Sequence, residues 1–209
     1  MNSQLVTPTA LVFDLGKVLV DFDYSIAARR LAARGKIDPD RIRAFIDQSP
    51  LLFQLESGQL SVDRFFEAVC EATGFCGSFE EFAAFFADIF VPIEPMISLH
   101  SKLRGSGFAT FIFSNTNDLA IRHIRRSFPF FNLFDGYILS YEHGAMKPDA
   151  KLYEVVEQHT GRRGPEILYL DDRPENIAGG ESRGWQVLLH ETPEKTRQLL
   201  RKLLPTAGV

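Results

Sequence analysis

The sequence is poor in cysteine and has no long hydrophobic run. Its 209 residues include two cysteines, Cys70 and Cys76, which lack a second pair at metal-ligand spacing, so we interpret them as reduced thiols. No apolar run approaches the roughly 20 residues of a membrane span. The apolar segment near the N-terminus is interrupted by Asp14 and Lys17 and follows no basic residue, unlike a signal peptide. We therefore expect a soluble, cytoplasmic protein.

An excess of positive charge is also missing. The chain has 23 basic and 27 acidic residues, for a formal net charge of −4, which argues against nucleic-acid and anionic-membrane partners. Apolar residues make up 45% of the sequence and charged residues 24%, as in ordinary globular proteins. The length fits one domain, or one core with an inserted subdomain.

The hydrophobic pattern changes twice along the chain. Residues 10–14 form a continuous apolar run that ends in the polar Asp14, and this pattern predicts a short buried strand. Between residues 24 and 90 apolar side chains recur at helical spacing and predict four or five short helices, one of them capped by Ser61. Ten of the 19 phenylalanines lie between Phe45 and Phe90. We expect most of them to pack inside this helical segment, and one or two to face a pocket.

Strands and helices alternate after Pro92. The pattern predicts strands at 108–113, 137–139, 167–170 and 185–189, and helices at 96–104, 117–127, 149–160, 174–183 and 193–204. Such alternation predicts an α/β fold with a parallel sheet and right-handed crossovers.

Four polar clusters follow predicted strands or lie in strand–helix loops. They are Asp14, Ser114-Asn115, Lys147 and Asp171-Asp172. Because such loops open at the carboxyl edge of a parallel sheet, we expect these clusters to converge although about 157 residues separate the first from the last.

The charges of these clusters predict a phosphate-handling metal site. Neighbouring carboxylates repel unless a cation joins them, and all-oxygen ligands favour Mg²⁺, which also binds substrate phosphate. Lys147 adds a second positive charge, while Ser114 and Asn115 offer donors suited to a phosphate oxygen. A carboxylate nucleophile in such a pocket can form an aspartyl-phosphate.

The order of these motifs resembles the haloacid dehalogenase superfamily. The segments that match its four motifs are Phe13-Asp14-Leu15-Gly16-Lys17-Val18-Leu19-Val20, Phe113-Ser114-Asn115-Thr116, Met146-Lys147-Pro148-Asp149 and Tyr169-Leu170-Asp171-Asp172-Arg173-Pro174-Glu175-Asn176. More narrowly, the chain is similar to the group that contains α-D-glucose-1-phosphate phosphatase and the phosphatase domain of soluble epoxide hydrolases. The resemblance implies a Rossmann-like, three-layer parallel-sheet core (residues 1–20 and 92–209) with an inserted small helical cap (residues 21–91).

The resemblance further implies a Mg²⁺-dependent phosphatase acting on a small phosphorylated metabolite, with sugar phosphates among the candidates. Asp14 would be the nucleophile, assisted by Lys147. Mg²⁺ would be held by Asp14, Asp172 and the carbonyl of Gly16. The phosphoryl group would be bound by Ser114, Asn115 and Lys147. Asp171 would act behind these ligands or through a water, and Asn176 would orient the Asp171-Asp172 loop or Lys147.

Gly16 departs from the pattern of many phosphatases in this family. They have an aspartate there that protonates the leaving oxygen and then activates water, a role typically worth 10²–10⁴-fold. Gly16 keeps a carbonyl for metal but has no acid–base group. Three interpretations stay open: His143 or a cap residue substitutes, the substrate has a good leaving group, or turnover is weak.

Two other functions stay open from the sequence. A 2-haloacid dehalogenase would use the same aspartate without metal, but its chemistry has no need for the adjacent Asp171 and Asp172. A regulatory module that binds phosphate without turnover has Gly16 as its only support. The oligomeric state is not predicted.

Overall fold

A five-stranded parallel sheet forms the centre of the computed structural model, which describes residues 6–35, 37–205 and 207–208. The strand order is β5–β4–β1–β6–β7. The strands are β1 (Ala10–Phe13), β4 (Ala109–Ser114), β5 (Gly136–Leu139), β6 (Ile167–Asp171) and β7 (Gln186–Leu189). The predicted α/β, Rossmann-like fold is therefore confirmed.

Helices cover both faces of this sheet. They are α6 (Glu94–Gly105), α7 (Asp118–Ser127), α8 (Ser140–His143), α9 (Ala150–Thr160), α10 (Pro174–Glu181) and α11 (Pro193–Leu203). In β1, Leu11 and Phe13 join the hydrophobic cluster with α6, α7 and α11, while Ala10 and Val12 join the cluster with α9 and α10. Because both faces of β1 are buried, its sequence is continuously apolar rather than alternating.

Five short helices lie between β1 and α6 in the chain. They are α1 (Tyr24–Ala32), α2 (Pro39–Ile46), α3 (Pro50–Glu56), α4 (Val62–Thr73) and α5 (Phe79–Ala87). A side-chain oxygen caps each N-terminus, and the predicted cap at Ser61 is confirmed by its acceptance of a hydrogen bond from the Arg64 amide. Pro39 and Pro50 occupy first helical positions, where the missing amide hydrogen costs nothing.

These five helices share a hydrophobic cluster of their own. It is built around Phe65, Phe82 and Phe86, and Leu119 of α7 joins it from the sheet side. Phe53, by contrast, is 50% exposed. The cluster agrees with the expectation that most of these phenylalanines pack inside the helical segment. The exact boundaries of a cap at 21–91 and a core at 1–20 and 92–209 stay a prediction.

A two-stranded antiparallel ribbon was not predicted from the sequence. It pairs β2 (Val20–Phe22) with β3 (Phe90–Pro92) at the two points where the chain enters and leaves the helical segment. Each strand has three residues, too few for a periodic signal, and the pairing joins segments about 70 residues apart. No helix in the described parts of the chain combines the length and apolarity that a bilayer crossing requires.

The end of α3 is fixed directly against the sheet-bearing part of the molecule. The Ser140 hydroxyl donates to the Glu56 carbonyl oxygen at 2.5 Å and accepts from the Thr116 amide at 2.9 Å. Gly58 has a φ of 70°, and a Cβ there would overlap the backbone carbonyl of Tyr141. This contact therefore requires glycine for its conformation and for its space.

We expect Gly58→Ala to lower the free energy of unfolding by about 2–5 kcal/mol, from left-handed strain and overpacking. Gly74→Ala is the matched control. Gly74 also has a positive φ, 65°, but a Cβ there meets nothing within 4 Å, so its cost is about 1 kcal/mol. Urea unfolding of both variants measures the difference, and equal losses would contradict a close contact at Gly58.

Candidate active site

The sheet register brings the first and last polar clusters together. Phe13 lies opposite Ile112 on one side and Leu170 on the other, so the next residue, Asp14, is level with Phe113 and Asp171. The Asp14 amide donates to the Leu170 carbonyl at 2.8 Å and continues the ladder. Two carboxylates therefore lie side by side at the carboxyl edge, where they would repel without a cation.

Lys147 supplies a cation between them. Its side chain is 1% exposed, and its ammonium lies 3.0 Å from Asp14 Oδ1 and 2.6 Å from Asp171 Oδ2. It also donates to the Phe113 carbonyl at 2.9 Å. A lysine ammonium has three hydrogens, and three protein oxygens accept them here. Lys147 therefore acts on this site mainly through its charge and its hold on Asp14.

Asp171 is completely buried and accepts hydrogen bonds from four groups. Besides Lys147, these are the Tyr169 hydroxyl, the Arg173 amide at 2.8 Å, and the Asn176 side chain at 3.0 and 3.2 Å. Asn176 thus orients Asp171 itself. With its oxygens so occupied, Asp171 holds Lys147 in place rather than facing a ligand.

The pKa values at this edge follow from burial and the shared charges. Burial raises the pKa of Asp14 to about 7 against the opposing pull of Lys147. Burial disfavours the Lys147 ammonium, but Asp14 and Asp171 outweigh it and hold the pKa of Lys147 above its ordinary value. Burial also opposes ionisation of Asp171, yet Lys147 keeps its pKa below the ordinary value. Burial and the Asp171 charge raise the pKa of Asp172.

Asn115 reaches the same edge and pairs with the backbone of Lys147. Its amide nitrogen donates to the Lys147 carbonyl at 3.1 Å, and its oxygen accepts from the Lys147 amide at 2.7 Å. Ser114, at the end of β4, is 3% exposed. The following helix begins at Asp118 with Asn117 as its cap, so Ser114 and Asn115 precede the helix N-terminus rather than form it. Their predicted contact with a phosphoryl group stays a prediction.

Three carboxylates at this edge could hold a metal ion. One oxygen each from Asp14, Asp171 and Asp172 lie within 4.8 Å of one another. Because Asp171 is committed to Lys147, Tyr169 and Asn176, the carboxylates best placed to face a cation are Asp14 and Asp172. Hard oxygen donors of this kind fit Mg²⁺.

The ring of Phe22 lies where a side chain at position 16 would have to go. A Cβ built on Gly16 would lie 2.9 Å from Phe22 Cε1, closer than real Cβ atoms come to a neighbour. Phe22 belongs to the β2–β3 ribbon, and Lys17 lies over its ring with Nζ 4.6 Å from the centroid. The ribbon therefore occupies the space that a longer residue at position 16 would need.

A cavity of about 660 Å³ opens above this edge, within the ordinary range for small-molecule sites. The sheet side contributes Asp14, Gly16, Lys147 and Asp172, among others, to its lining. The helical segment contributes both polar and apolar residues to the lining, namely Tyr24, Arg43, Asp47, Gln48, Leu52, Phe53 and Glu56. The cavity is thus closed by two parts of the chain with separate hydrophobic clusters.

Glu56 is a cavity residue that sequence reasoning missed, whereas His143 was expected near the site and is not among the residues that line the cavity. His143 instead packs against His159, with ring centroids 6.1 Å apart. A signal for Glu56 was present in the sequence. Leu52, Leu55 and Glu56 lie at i, i+3 and i+4, so a charged residue continues the apolar face of α3.

Comparison with protein families and curated proteins gives a consistent result. The model for haloacid dehalogenase-like hydrolases matches residues 8–184. The chain is 28% identical over 190 residues to the sesquiterpene phosphatase astK of Aspergillus oryzae, covering 88% of this chain and 89% of that protein. It is 26% identical over 201 residues to D-ribitol-5-phosphate phosphatase of Bacteroides thetaiotaomicron, covering 93% and 97%.

A solved structure shares the fold. It is a HAD family enzyme from Bacteroides thetaiotaomicron in complex with magnesium and inorganic phosphate, with a TM-score of 0.78 and 22% identity. The alignment covers 88% of this chain and 94% of that one.

We expect Lys147→Met to lower the free energy of unfolding by about 3–5 kcal/mol at pH 8, because it leaves buried carboxylates without a cation. In this variant burial raises the folded-state pKa of Asp14 without the opposing pull of Lys147. A carboxyl group whose pKa is higher in the folded state than in the unfolded state stabilises the protein as the pH falls, so the deficit relative to wild type should shrink at pH 5.

Urea unfolding at pH 5 and pH 8 measures this difference. Lys195→Met serves as the control, because Lys195 is exposed and pairs with Glu191 on the surface, and it should change stability by no more than about 0.5 kcal/mol. A deficit for Lys147→Met that is independent of pH would contradict the assigned network.

Proposed function

This chain belongs to the haloacid dehalogenase-like hydrolases, and we propose that it is a Mg²⁺-dependent phosphatase that hydrolyses a small phosphorylated metabolite through an aspartyl-phosphate on Asp14. The observation that carries the proposal is the position of Asp14. It directly follows the central strand β1, is 7% exposed, lines the cavity and is paired with a buried lysine. Two curated relatives named as phosphatases and a solved structure of this fold with magnesium and phosphate support it.

The residues present fit a magnesium ion. We propose that the carboxylates of Asp14 and Asp172 and the carbonyl of Gly16 hold it, since this donor set is all oxygen and Gly16 lines the cavity beside both aspartates. When bound, Mg²⁺ supplies positive charge that offsets the repulsion between the carboxylates and the phosphate. Asp171 does not contact the metal ion in this proposal; it holds Lys147 in position through their ion pair.

The reaction assigned to these residues has two displacements. Asp14 attacks phosphorus, a bond forms from its carboxylate oxygen, and the bond from phosphorus to the leaving oxygen breaks. Water then attacks the aspartyl-phosphate, and the bond between phosphorus and Asp14 breaks to release inorganic phosphate. Lys147 fixes the orientation of Asp14 and keeps its negative charge compensated. We assign the contacts to the phosphoryl group to Ser114 and Asn115, which line the smaller pocket beside Gly16.

The cavity supports a small and partly apolar substrate. Its volume of about 660 Å³ suits a metabolite rather than a macromolecule. The wall carries the apolar Phe22, Leu52 and Phe53 beside the cationic Arg43. The curated relatives act, by their names, on a sesquiterpene phosphate and on a sugar-alcohol phosphate. A phosphate ester with either kind of leaving group is compatible with this mixed wall.

We expect Asp14→Asn to lower kcat/KM by about 10⁴-fold or more for any substrate found in a panel of phosphorylated metabolites, because the nucleophile is lost. Removing divalent cations with EDTA should abolish turnover, and Mg²⁺ should restore it. Phosphate release measures both effects. Asp63→Asn, at an exposed position in the first turn of α4, is the control and should retain wild-type activity.

Three results would contradict the proposal. An unchanged rate in Asp14→Asn would remove Asp14 as the nucleophile. Halide release from a 2-haloacid in the presence of EDTA would favour the dehalogenase. Tight binding of a phosphate analogue without turnover of any panel member would favour the regulatory module.

A further inference from the structure

We propose that Glu56, from the helical segment, is the general acid and base of this reaction, in the role for which Gly16 has no side chain. The inference rests on the proposed phosphatase function and adds a catalytic residue to it. It depends on the position of Glu56, on how that position is fixed, and on the state of the other ionisable groups in the cavity.

Glu56 lines both spaces that meet at Gly16. It borders the 660 Å³ cavity together with Asp14, and it borders a smaller adjoining pocket together with Gly16 and Asn115. Asp14 enters the cavity from the sheet side, and Glu56 enters it from α3 in the helical segment. In an in-line displacement the leaving oxygen departs on the side of phosphorus away from the nucleophile, so a proton donor for it has to come from a part of the wall other than the one that carries Asp14.

The backbone of Glu56 is held against the sheet-bearing part of the molecule. The Ser140 hydroxyl contacts its carbonyl oxygen at 2.5 Å, and Ser140 directly follows β5 at the same sheet edge. Two residues later, Gly58 packs on the backbone of Tyr141. A catalytic group must be held in position to be effective, and these contacts fix Glu56 relative to Asp14.

The Glu56 carboxyl group is suited to proton transfer near neutral pH. Within the described parts of the chain it has no hydrogen bond or ion pair, and it is only partly accessible. Burial raises its pKa to about 7, although the Arg173 guanidinium draws it downward. From α1, the neutral Tyr24 faces it, and burial holds the pKa of Tyr24 well above its ordinary value. Such a group can donate and then accept a proton at neutral pH.

Three other ionisable groups that line the cavity with Gly16 are engaged elsewhere. Lys17 pairs with Asp21 and donates to the Phe22 carbonyl at 3.1 Å. The hydrogen bond from Lys17 lowers the pKa of Asp21, and the hydrogen bonds from Ser25 lower that of Asp23. Both aspartates are therefore ionised at neutral pH and have no proton to donate.

Glu56 donates a proton in the first step and takes one back in the second, so the protons balance over the cycle. As Asp14 displaces the leaving group, protonated Glu56 transfers its proton to the departing oxygen, which leaves as an alcohol. The Glu56 carboxylate then takes a proton from the attacking water as the bond between phosphorus and Asp14 breaks. Inorganic phosphate leaves, Asp14 is again a carboxylate, and Glu56 is protonated for the next cycle.

The test compares Glu56→Gln with wild type on two esters in the presence of Mg²⁺. The nitrophenolate of p-nitrophenyl phosphate leaves without a proton, whereas the alkoxide of an alkyl phosphate needs one. With p-nitrophenyl phosphate the variant should keep its first-turnover rate within a few-fold and then slow by about 10²–10⁴-fold, as phosphoenzyme accumulates. With the alkyl ester the first turnover should already slow by that factor.

Glu67→Gln is the matched control. Glu67 lies on α4 in the same helical segment, is exposed, and pairs with Arg64 on the surface, so both esters should react at wild-type rates. The basic limb of the wild-type pH profile for the alkyl ester should be absent in Glu56→Gln, because that limb reports loss of the proton from Glu56.

The outcomes separate the inference from the proposed function. Wild-type turnover of the alkyl ester by Glu56→Gln would overturn the role of Glu56 and leave the phosphatase assignment intact. Equal slowing of the first turnover with both esters would also overturn it, since only a positioning role predicts that result. Absence of phosphate release by the wild-type protein from either ester would overturn the proposed function, and this inference with it.

Discussion

The structure depends on one buried cation between two carboxylates. Lys147 is 1% exposed and joins Asp14 to Asp171, residues that the register of β1 and β6 places at the same level. Without this ammonium the carboxyl edge of the sheet would hold uncompensated negative charge in a poorly solvated place. Asn115, Tyr169 and the Phe113 carbonyl hold Lys147 and Asp171 in position. The proposed nucleophile is therefore fixed by neighbours that lie on three different strands and loops.

The cavity adds a second constraint, because its walls come from two parts of the chain with separate hydrophobic clusters. The sheet contributes the acidic edge, and helices α1–α3 contribute Tyr24, Leu52 and Glu56. The contact between Gly58 and Tyr141 keeps these walls together. A substrate that enters the cavity contacts the charged residues of the sheet edge and the polar and apolar residues of the helices. In the proposed chemistry the sheet edge supplies the nucleophile Asp14, and the helices supply the acid–base group Glu56.

Much of the fold was predictable because its signals are local. The apolar run of β1 and the cap at Ser61 depend on residues close in sequence, and both match the structure. The membership in the haloacid dehalogenase superfamily, inferred from four ordered motifs, is confirmed over residues 8–184. The β2–β3 ribbon was missed because three-residue strands carry no period, and α8 because a single turn resembles a loop. The narrower family group and the roles of the site residues stay predictions.

By itself, the sequence determined which chemical groups gather at the carboxyl edge, since strand–helix alternation brings the ends of parallel strands to one side. It also determined that Gly16 has no acid–base group. Only the tertiary structure decided how these groups are used. Three-dimensional packing commits Asp171 and Asn115 to Lys147, places Phe22 against Gly16, removes His143 from the cavity and brings Glu56 into it. These assignments depend on contacts between residues far apart in sequence, and their distances and burial are set by packing rather than by local pattern.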